Sequence, residues 1–352
     1  MQLLVIGVDA MCPQRVLKEG PAVGNLHRLW SQGSLFDIQM GDDPCTPEVW
    51  TSFATGLSRS DHCVRGLTVD DSGQLWEADD LPPAHLPDRI LNSQGITTGL
   101  FNIPVVTYPP RPTAGWMTCG DMLYPQRVYP KNLAQRLAPY PPSSCDYHYP
   151  EGVSISEPMV RRKHECIFEE FTRRGQISFN NLVALLEWVE PEVVVAYWHF
   201  LDSIQHHLLC QEEKVSAAYR LVDSFVGELT ERFSPENMVV VSDHGMRAVS
   251  EDDEGEGLMR VGEWELLQMH WHGHRWLSSG VHSNRALCIA SWPSRRQGRP
   301  ETIEQVLSWA LNHCGIDRRP APTGALATGQ SKQLSPPHRR RILRRLRDLG
   351  YG

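Results

Sequence analysis

The sequence lacks the features that mark several common classes of protein. Its nine cysteines form no Cys-x-x-Cys pair and no regular spacing, which argues against a structural zinc knuckle or a disulfide framework. We therefore expect reduced thiols in a cytoplasmic protein. No apolar run is long enough to cross a membrane. Residues 1–9 have no basic segment before their short apolar run, so they make a poor signal peptide.

Positive charge is also scarce. The 34 lysines and arginines are outnumbered by 42 acidic residues, which gives a formal net charge of −8. Such a chain is not suited to general attraction to nucleic acids or anionic membranes, so we expect neither as a partner. With 352 residues, of which 41% are hydrophobic, it can bury a large core. The sequence does not indicate an oligomeric state.

Short apolar runs rich in β-branched residues alternate with amphipathic stretches. This alternation is typical of an α/β fold with a mainly parallel sheet and helices on both faces. The predicted strands are residues 3–8, 97–103, 193–198, 238–241 and 286–290, and the predicted helices are residues 24–31, 50–57, 166–189, 213–233 and 302–313.

The segment at residues 107–156 differs from the rest of the chain. It is rich in proline and tyrosine and has no clear period. We interpret it as an insertion rather than as part of the sheet. This predicts a catalytic core formed by residues 1–106 and 176–352, with an inserted cap at residues 107–175.

Three aspartates follow three of the predicted strands. Asp9, Asp202 and Asp243 each come at or just after the carboxyl end of such a strand. In open α/β sheets, ligands bind beyond these ends. Any one of these aspartates is equally consistent with a helix cap, but the three together indicate a site at one edge of the sheet.

Histidines lie beside two of these aspartates. Asp202 and His206 are four residues apart in a predicted helix, so they share one face; a helix cap with a surface histidine is the alternative. Gly245 permits a sharp turn, which lets Asp243 and His244 aim at one point.

Carboxylates and imidazoles together suit zinc, with manganese or iron as alternatives. His207 points away from the Asp202 face, whereas His282 precedes the last predicted strand. Two ions can clamp the attacking and leaving oxygens of a phosphoryl displacement. Six candidate ligands are sufficient for two ions: Asp9, Asp202, His206, Asp243, His244 and His282.

A candidate nucleophile precedes the predicted helix at residues 50–57. Thr46 is followed by Pro47 at the expected start of that helix. Free backbone N–H groups and the helix dipole favour an alkoxide and a phosphate at such a position. An ordinary helix start explains the same pair of residues, so both interpretations stay open at this point.

In their order along the chain, these motifs resemble the type I phosphodiesterase/nucleotide pyrophosphatase branch of the alkaline phosphatase superfamily, and most of all its small bacterial and archaeal members. The resemblance covers most of the chain and implies an alkaline-phosphatase-like three-layer sandwich. Its motifs are the strand before Asp9, residues 46–56, residues 102–104 with 107–110, and residues 202–206, 243–246, 280–282 and 346–351.

The resemblance implies a metal-dependent phosphohydrolase. Thr46 would attack phosphorus to form a phospho-threonine intermediate, which water would then hydrolyse. The foremost activity is that of a phosphodiesterase acting on a small phosphorylated substrate, with nucleotide-like molecules among the candidates. One zinc ion would be held by Asp9, Thr46, Asp243 and His244, and a second by Asp202, His206 and His282.

Other activities stay open on the same centre, namely phosphomonoester hydrolysis, phosphonate hydrolysis and mutase-type phosphoryl transfer. A sulfatase would need a Cys-x-Pro-x-Arg motif, but Val49 stands in the arginine position. The sulfatase cysteine also lies ten residues before the glycine of the following Thr-Gly, and here that register falls on Thr46 rather than Cys45. A non-catalytic binding protein would be expected to lose ligands, and this sequence retains the full set.

One position departs from the family pattern. The oxyanion-binding asparagine that nucleotide pyrophosphatases carry beyond the nucleophile falls here on Leu67. Arg65 and Asn102 are the two candidates for donating hydrogen bonds to the phosphoryl oxygens instead.

Two further segments are rich in basic residues. His270, His272 and His274 alternate, so on a strand they would share a face and could bind a third metal ion. We favour a loop or short helix at the rim of the site. Residues 338–349 predict a basic terminal helix with one solvated face, for which binding to RNA or phospholipid is the alternative.

Overall fold

The computed structural model describes residues 1–41, 44–66, 75–120, 125–271, 274–293 and 298–318, with only the backbone at residues 270, 271 and 274. Leu67, His272 and the predicted basic helix at residues 338–349 lie outside these ranges.

Strands form one large sheet and two small sheets within the described residues. They are β1 (Leu3–Val8), β2 (Ser34–Gln39), β3 (Thr98–Phe101), β4 (Gly115–Cys119), β5 (Arg127–Tyr129), β6 (Val193–Trp198), β7 (Asn237–Val241), β8 (Gly245–Ala248), β9 (Leu258–Val261), β10 (Trp264–Trp271), β11 (His274–Ser278), β12 (Gly280–Ser283) and β13 (Arg285–Ala290). The large sheet has the order β2-β13-β7-β1-β6-β3-β4-β5. Its strands from β7 to β4 are parallel, whereas β13, β2 and β5 pair antiparallel at the two sides.

Helices cover both faces of the large sheet. They are α1 (Pro13–Glu19), α2 (Gly24–Gln32), α3 (Thr46–Thr55), α4 (Arg59–His62), α5 (Pro87–Ser93), α6 (Glu157–Trp188), α7 (Phe200–Leu208), α8 (Glu212–Phe233) and α9 (Ile303–His313). The apolar cluster on one face includes Trp50 of α3 and Trp309 of α9. The cluster on the other face includes Phe179 of α6 and Phe225 of α8. The α/β class and the three-layer arrangement are therefore confirmed. No helix in the described part of the chain is both long enough and apolar enough to span a bilayer.

The central strand β1 shows how the layers meet. Its odd-numbered apolar residues belong to the cluster around Trp50, and its even-numbered ones belong to the cluster around Phe179. A strand buried on both faces is therefore a continuous apolar run in the sequence. Gly7 lets the Trp50 ring lie directly on the strand, because a Cβ at this position would come within 2.3 Å of the ring. This contact fixes α3 against β1.

Part of the predicted insertion at residues 107–175 belongs to the layers of the core. β4 continues the parallel sheet beside β3, and β5 pairs with β4. Helix α6 begins at Glu157, well before the predicted start at residue 166, and packs on the sheet. The interpretation that this segment lies outside the sheet is wrong for these elements, because Trp116 and Met117 of β4 are fully buried on opposite faces. The division into a core and a cap otherwise stays a prediction.

Of the histidine-rich segment, His270 and His274 lie in two paired strands, which differs from the predicted loop or short helix. β10 and β11 pair antiparallel, with His270 opposite Arg275 and Trp271 opposite His274. Together with β9 they form a small sheet whose Leu266 and Leu277 are buried in a separate apolar cluster.

One pair of cysteines contradicts the expectation of reduced thiols. Cys145 and Cys166 form a disulfide, with Cα atoms 5.9 Å apart. The buried Glu170 carboxylate accepts hydrogen bonds from the backbone N–H groups of Ser144 at 2.8 Å and Cys145 at 3.0 Å. Because Cys166 lies one turn before Glu170 on α6, these bonds bring the two cysteines together. The cytoplasmic location stays a prediction.

Candidate metal centre

Parallel strands deliver three aspartates to one edge of the large sheet. Asp9 directly follows β1, Asp202 lies in the first turn of α7 after β6, and Asp243 follows β7. The strands are in register at this end, with Val8 opposite Trp198. All three carboxylates are completely buried.

One half of the centre forms around His244. Its Nε2 atom lies 3.2 Å from Asp9 Oδ1 and 3.4 Å from Asp243 Oδ2. The hydroxyl Oγ1 of Thr46 lies 3.4 Å from the same nitrogen. Residues that are up to 235 positions apart in the chain are thus gathered around one point, as the sequence predicts.

The other half forms around Asp202. Its Oδ1 atom lies 3.3 Å from His206 Nε2 and 3.5 Å from His282 Nε2. The two histidine nitrogens are 3.0 Å apart. Ligand atoms of Asp202 also lie within 4.8 Å of those of Asp9 and His244, so the two halves form one continuous centre.

The three candidate ligand histidines share one orientation. Their Nδ1 atoms bond to backbone carbonyl oxygens at 2.9–3.0 Å, namely those of Gly280, Gly245 and Pro44. Because a carbonyl only accepts, each Nδ1 carries the hydrogen. Each Nε2 therefore directs a lone pair into the centre, which is the usual arrangement of metal-binding histidines.

The carboxylates of this centre fit a cation. Asp9 Oδ1 and Asp243 Oδ2 are buried and have no hydrogen-bond partner within the described residues. Leaving a buried charged oxygen without a partner is costly. A divalent ion would satisfy these oxygens together with the imidazole nitrogens, and this set of donors suits zinc.

Electrostatics in the centre show the same need for positive charge. Burial raises the pKa of Asp243 well above its usual value, and the neighbouring Asp9 raises it further. Burial lowers the pKa of His244, but the carboxylates of Asp243 and Asp9 outweigh it and raise this pKa to about 10. Without an added cation, the centre would therefore hold protons at neutral pH.

Thr46 is the first residue of α3, with Pro47 directly after it. Its side chain is completely buried against the ligand cluster. The residue before it, Cys45, has extended backbone and precedes the helix. The structure thus places the Thr46 hydroxyl beside His244, in agreement with the register that disfavours a sulfatase.

Two further residues of this centre, Tyr197 and His199, are not among the candidates predicted from the sequence. The Tyr197 hydroxyl donates a hydrogen bond to Asp9 Oδ2, and His199 Nδ1 lies 3.0 Å from the same oxygen. Both residues stand at the carboxyl end of β6, just before Asp202. The strand-end argument that selects the aspartates would also have selected these two polar side chains.

Comparison with known proteins identifies the family of this chain. The sequence profile of the family described as type I phosphodiesterase / nucleotide pyrophosphatase matches residues 3–305. The chain belongs to this family. Its members are phosphoric ester hydrolases within the alkaline phosphatase superfamily. No protein with a curated description matches the chain by sequence.

Solved structures share the fold of this phosphodiesterase family member. Murine ectonucleotide pyrophosphatase/phosphodiesterase 5 is 13% identical, with 92% of this chain and 97% of that chain covered and a TM-score of 0.53. Phosphonoacetate hydrolase from Sinorhizobium meliloti 1021, in complex with phosphonoacetate, is 10% identical, with 88% and 95% covered and a TM-score of 0.54.

The two candidate substrate-binding residues differ in their surroundings. Arg65 is exposed. Asn102 is buried at the end of β3 with a positive φ of 58°. Its amide donates to the Tyr140 hydroxyl at 3.2 Å and accepts from the Thr118 hydroxyl at 2.9 Å. Their roles in this phosphodiesterase family member stay predictions, and Leu67 lies outside the described residues.

His207 faces away from the metal centre. It is buried between the rings of Tyr147 and Trp276, with centroid distances of 5.8 Å and 5.4 Å. Burial lowers its pKa to about 3. It therefore packs as a neutral aromatic side chain, although it is the direct neighbour of His206.

Proposed function

We propose that this chain is a phosphodiesterase that cleaves a small phosphate ester through a phospho-threonine intermediate at Thr46, in a centre for two divalent metal ions. The observation that supports the proposal most strongly is the position of the Thr46 hydroxyl. It lies at the first residue of α3, completely buried, and 3.4 Å from His244 Nε2 in a cluster of buried carboxylates.

The ligand sets follow the two halves of the centre. Asp9, Thr46, Asp243 and His244 would hold one ion, and Asp202, His206 and His282 would hold the other. Zinc suits these donors best, with manganese or iron as alternatives. When bound, the ions supply positive charge that stabilises the charge developing on the phosphoryl group.

The protein's own groups orient the reaction. The N-terminus of α3 directs its free N–H groups and the positive end of its dipole towards the position of a phosphate beside Thr46. The Thr46 hydroxyl gives up its proton and its oxygen forms a bond to phosphorus, while the ester oxygen leaves with the bonding electrons and takes up a proton. Water then attacks the phospho-threonine, which releases the phosphomonoester, and a proton from that water restores the threonine hydroxyl.

Substituting the nucleophile tests this proposal. Thr46→Ala should abolish turnover of an aryl phosphate diester, while elemental analysis still finds bound metal. Thr55→Ala is the matched control, because Thr55 is also a buried threonine of α3 but lies at the other end of the helix. Retained turnover in Thr46→Ala would remove Thr46 from the mechanism.

Relative rates on defined substrates test the preference for diesters. With added zinc or manganese, the proposal predicts faster turnover of a bis-aryl phosphate than of the mono-aryl phosphate. A preference for the monoester would identify a phosphomonoesterase on the same centre. Turnover of phosphonoacetate alone would identify a phosphonate hydrolase. Either result would contradict the diester assignment.

A further inference from the structure

The two carboxylate oxygens of Asp9 have different surroundings. Oδ2 accepts hydrogen bonds from the Tyr197 hydroxyl and from His199 Nδ1, which lies at 3.0 Å. Oδ1 is buried, has no hydrogen-bond partner within the described residues, and lies 3.2 Å from His244 Nε2. One oxygen is therefore held by the protein, and the other is directed into the centre.

Both donors come from the junction of β6 and α7. Trp198, the last residue of β6, is opposite Val8 in the sheet, and Tyr197 and His199 lie on either side of it with their ring centroids 6.5 Å apart. The Trp50 ring packs edge-on against Tyr197, with centroids 5.0 Å apart. The sheet register and this packing fix the position from which the hydroxyl donates.

His199 differs from the three ligand histidines in how its second nitrogen is used. Because an ionised carboxylate only accepts, Nδ1 of His199 carries the hydrogen. Nε2 then accepts from the Ser203 hydroxyl, 2.9 Å away. The three ligand histidines direct Nε2 into the centre, whereas His199 has both nitrogens engaged by protein groups. It is thus suited to hold a ligand rather than to be one.

We propose that Tyr197 and His199 are positioning residues that make Asp9 bind metal through Oδ1 alone. The inference rests on the proposed function, because it requires Asp9 to be a metal ligand. A carboxylate that binds through one oxygen leaves free a coordination position that a two-oxygen carboxylate would fill. Catalytic metal sites need such a free position for substrate or water. Partners that orient a ligand typically change metal affinity 10–100-fold when they are removed.

Metal affinity of variants tests the inference. Tyr197→Phe keeps the ring but removes one donor, and His199→Leu removes the other. Each should weaken the binding of one of the two ions about tenfold, and the double variant about a hundredfold, in competition with a chromophoric chelator. The other ion should bind as in the wild type. His199→Asn should restore much of the affinity, because its amide N–H can take the place of Nδ1–H.

A spectroscopic measurement separates positioning from a general structural effect. With Co²⁺ in place of the native metal, both single variants should change the visible absorption of the bound ion, since Asp9 is then free to bind through both oxygens. Tyr147→Phe is the matched control, because it removes a buried hydroxyl that bonds to Ser143 outside the centre. Its spectrum and affinity should equal those of the wild type.

Two results would overturn the inference in distinguishable ways. If the wild type binds two ions and the Tyr197 and His199 variants match it in affinity and spectrum, the positioning role is wrong and the proposed function stands. If the wild type binds no metal, the proposed function fails and the positioning role fails with it.

Discussion

The buried carboxylate of Glu170 and the buried carboxylates of the candidate metal centre have opposite surroundings. The Glu170 carboxylate on α6 accepts hydrogen bonds from Ser143, Ser144 and Cys145, and it pairs with Arg174 Nε at 3.0 Å. In the metal centre, Asp9 and Asp243 each keep a buried oxygen with no hydrogen-bond partner within the described residues.

For Asp243 and Glu170, the difference also appears in the direction of their pKa shifts. Burial raises the pKa of Glu170, but hydrogen bonds from Tyr147 and the charge of Arg174 outweigh it and lower this pKa. Burial and the charge of Asp9 raise the pKa of Asp243, and the opposing charge of His244 does not outweigh them. Burial of an acid is therefore not a mark of function by itself. What marks the metal centre is the set of oxygens that the protein leaves unsatisfied.

The largest expected effect is on activity. Asp243→Asn keeps the shape of the side chain and the acceptor for the Ala10 N–H at 3.3 Å, but it removes a charged ligand. We expect turnover to fall more than about a hundredfold, beyond the loss typical of groups that only orient a ligand. Initial rates on an aryl phosphate diester measure this effect.

Although Asp243→Asn should lose activity, it should gain stability. In the metal-free protein, the raised pKa of Asp243 means that this group opposes folding as the pH rises above the usual pKa of an aspartate. Asp243→Asn should therefore raise the free energy of unfolding in a chelating buffer at neutral pH. If Asp243→Asn instead lost stability, the distinction between Asp243 and Glu170 would be wrong.

Glu170→Gln should lose stability and keep its activity, the reverse of Asp243→Asn. It leaves the buried Arg174 without its charge partner, so we expect a loss of about 3 kcal/mol in the free energy of unfolding. Turnover per folded molecule should stay near that of the wild type. Glu165→Gln on the same helix is the matched control, because its pair with Lys214 is more exposed, and it should change stability by less than about 0.5 kcal/mol. Equal losses in both variants would contradict the structural role of Glu170.

A smaller effect concerns acid stability on α6. Burial and the charge of Lys214 lower the pKa of His164 from 6.5 to about 4. Between these values the unfolded chain binds a proton that the folded protein does not, so stability falls as pH falls. Between pH 7 and pH 5, the free energy of unfolding of the wild type should fall by about 1–2 kcal/mol more than that of His164→Gln. Urea unfolding at the two pH values tests this, and parallel losses would refute it.

The fold was predictable from the sequence at strands that are buried on both faces of the sheet. Strands β1 and β6 coincide with the predicted residues 3–8 and 193–198 because they are apolar on both faces. Strand β2 was missed because it lies at an edge of the sheet, where buried residues alternate with exposed ones. Its Asp37 pairs with Arg285 of β13, a partner that local sequence does not reveal.

The proximity of Asp9, Asp202 and Asp243 was predictable because each follows a parallel strand at the same edge of the sheet. Their place at the end of β6 could have made Tyr197 and His199 candidates, but their contacts with Asp9, 188 and 190 residues away, could not be predicted from local sequence. The contacts of Asn102 with Tyr140 and Thr118 likewise depend on the path of the segment at residues 107–156. Periodicity identifies which residues are buried, whereas partners distant in sequence decide what a buried polar group does.

The metal content of the purified protein tests the central claim most directly. Elemental analysis after saturation with zinc and removal of excess should find two ions per chain in the wild type. Asp202→Ala and His282→Ala should each lower this value towards one, because their ligand set holds one of the ions. A wild-type protein without bound metal, or variants with an unchanged metal content, would contradict the account.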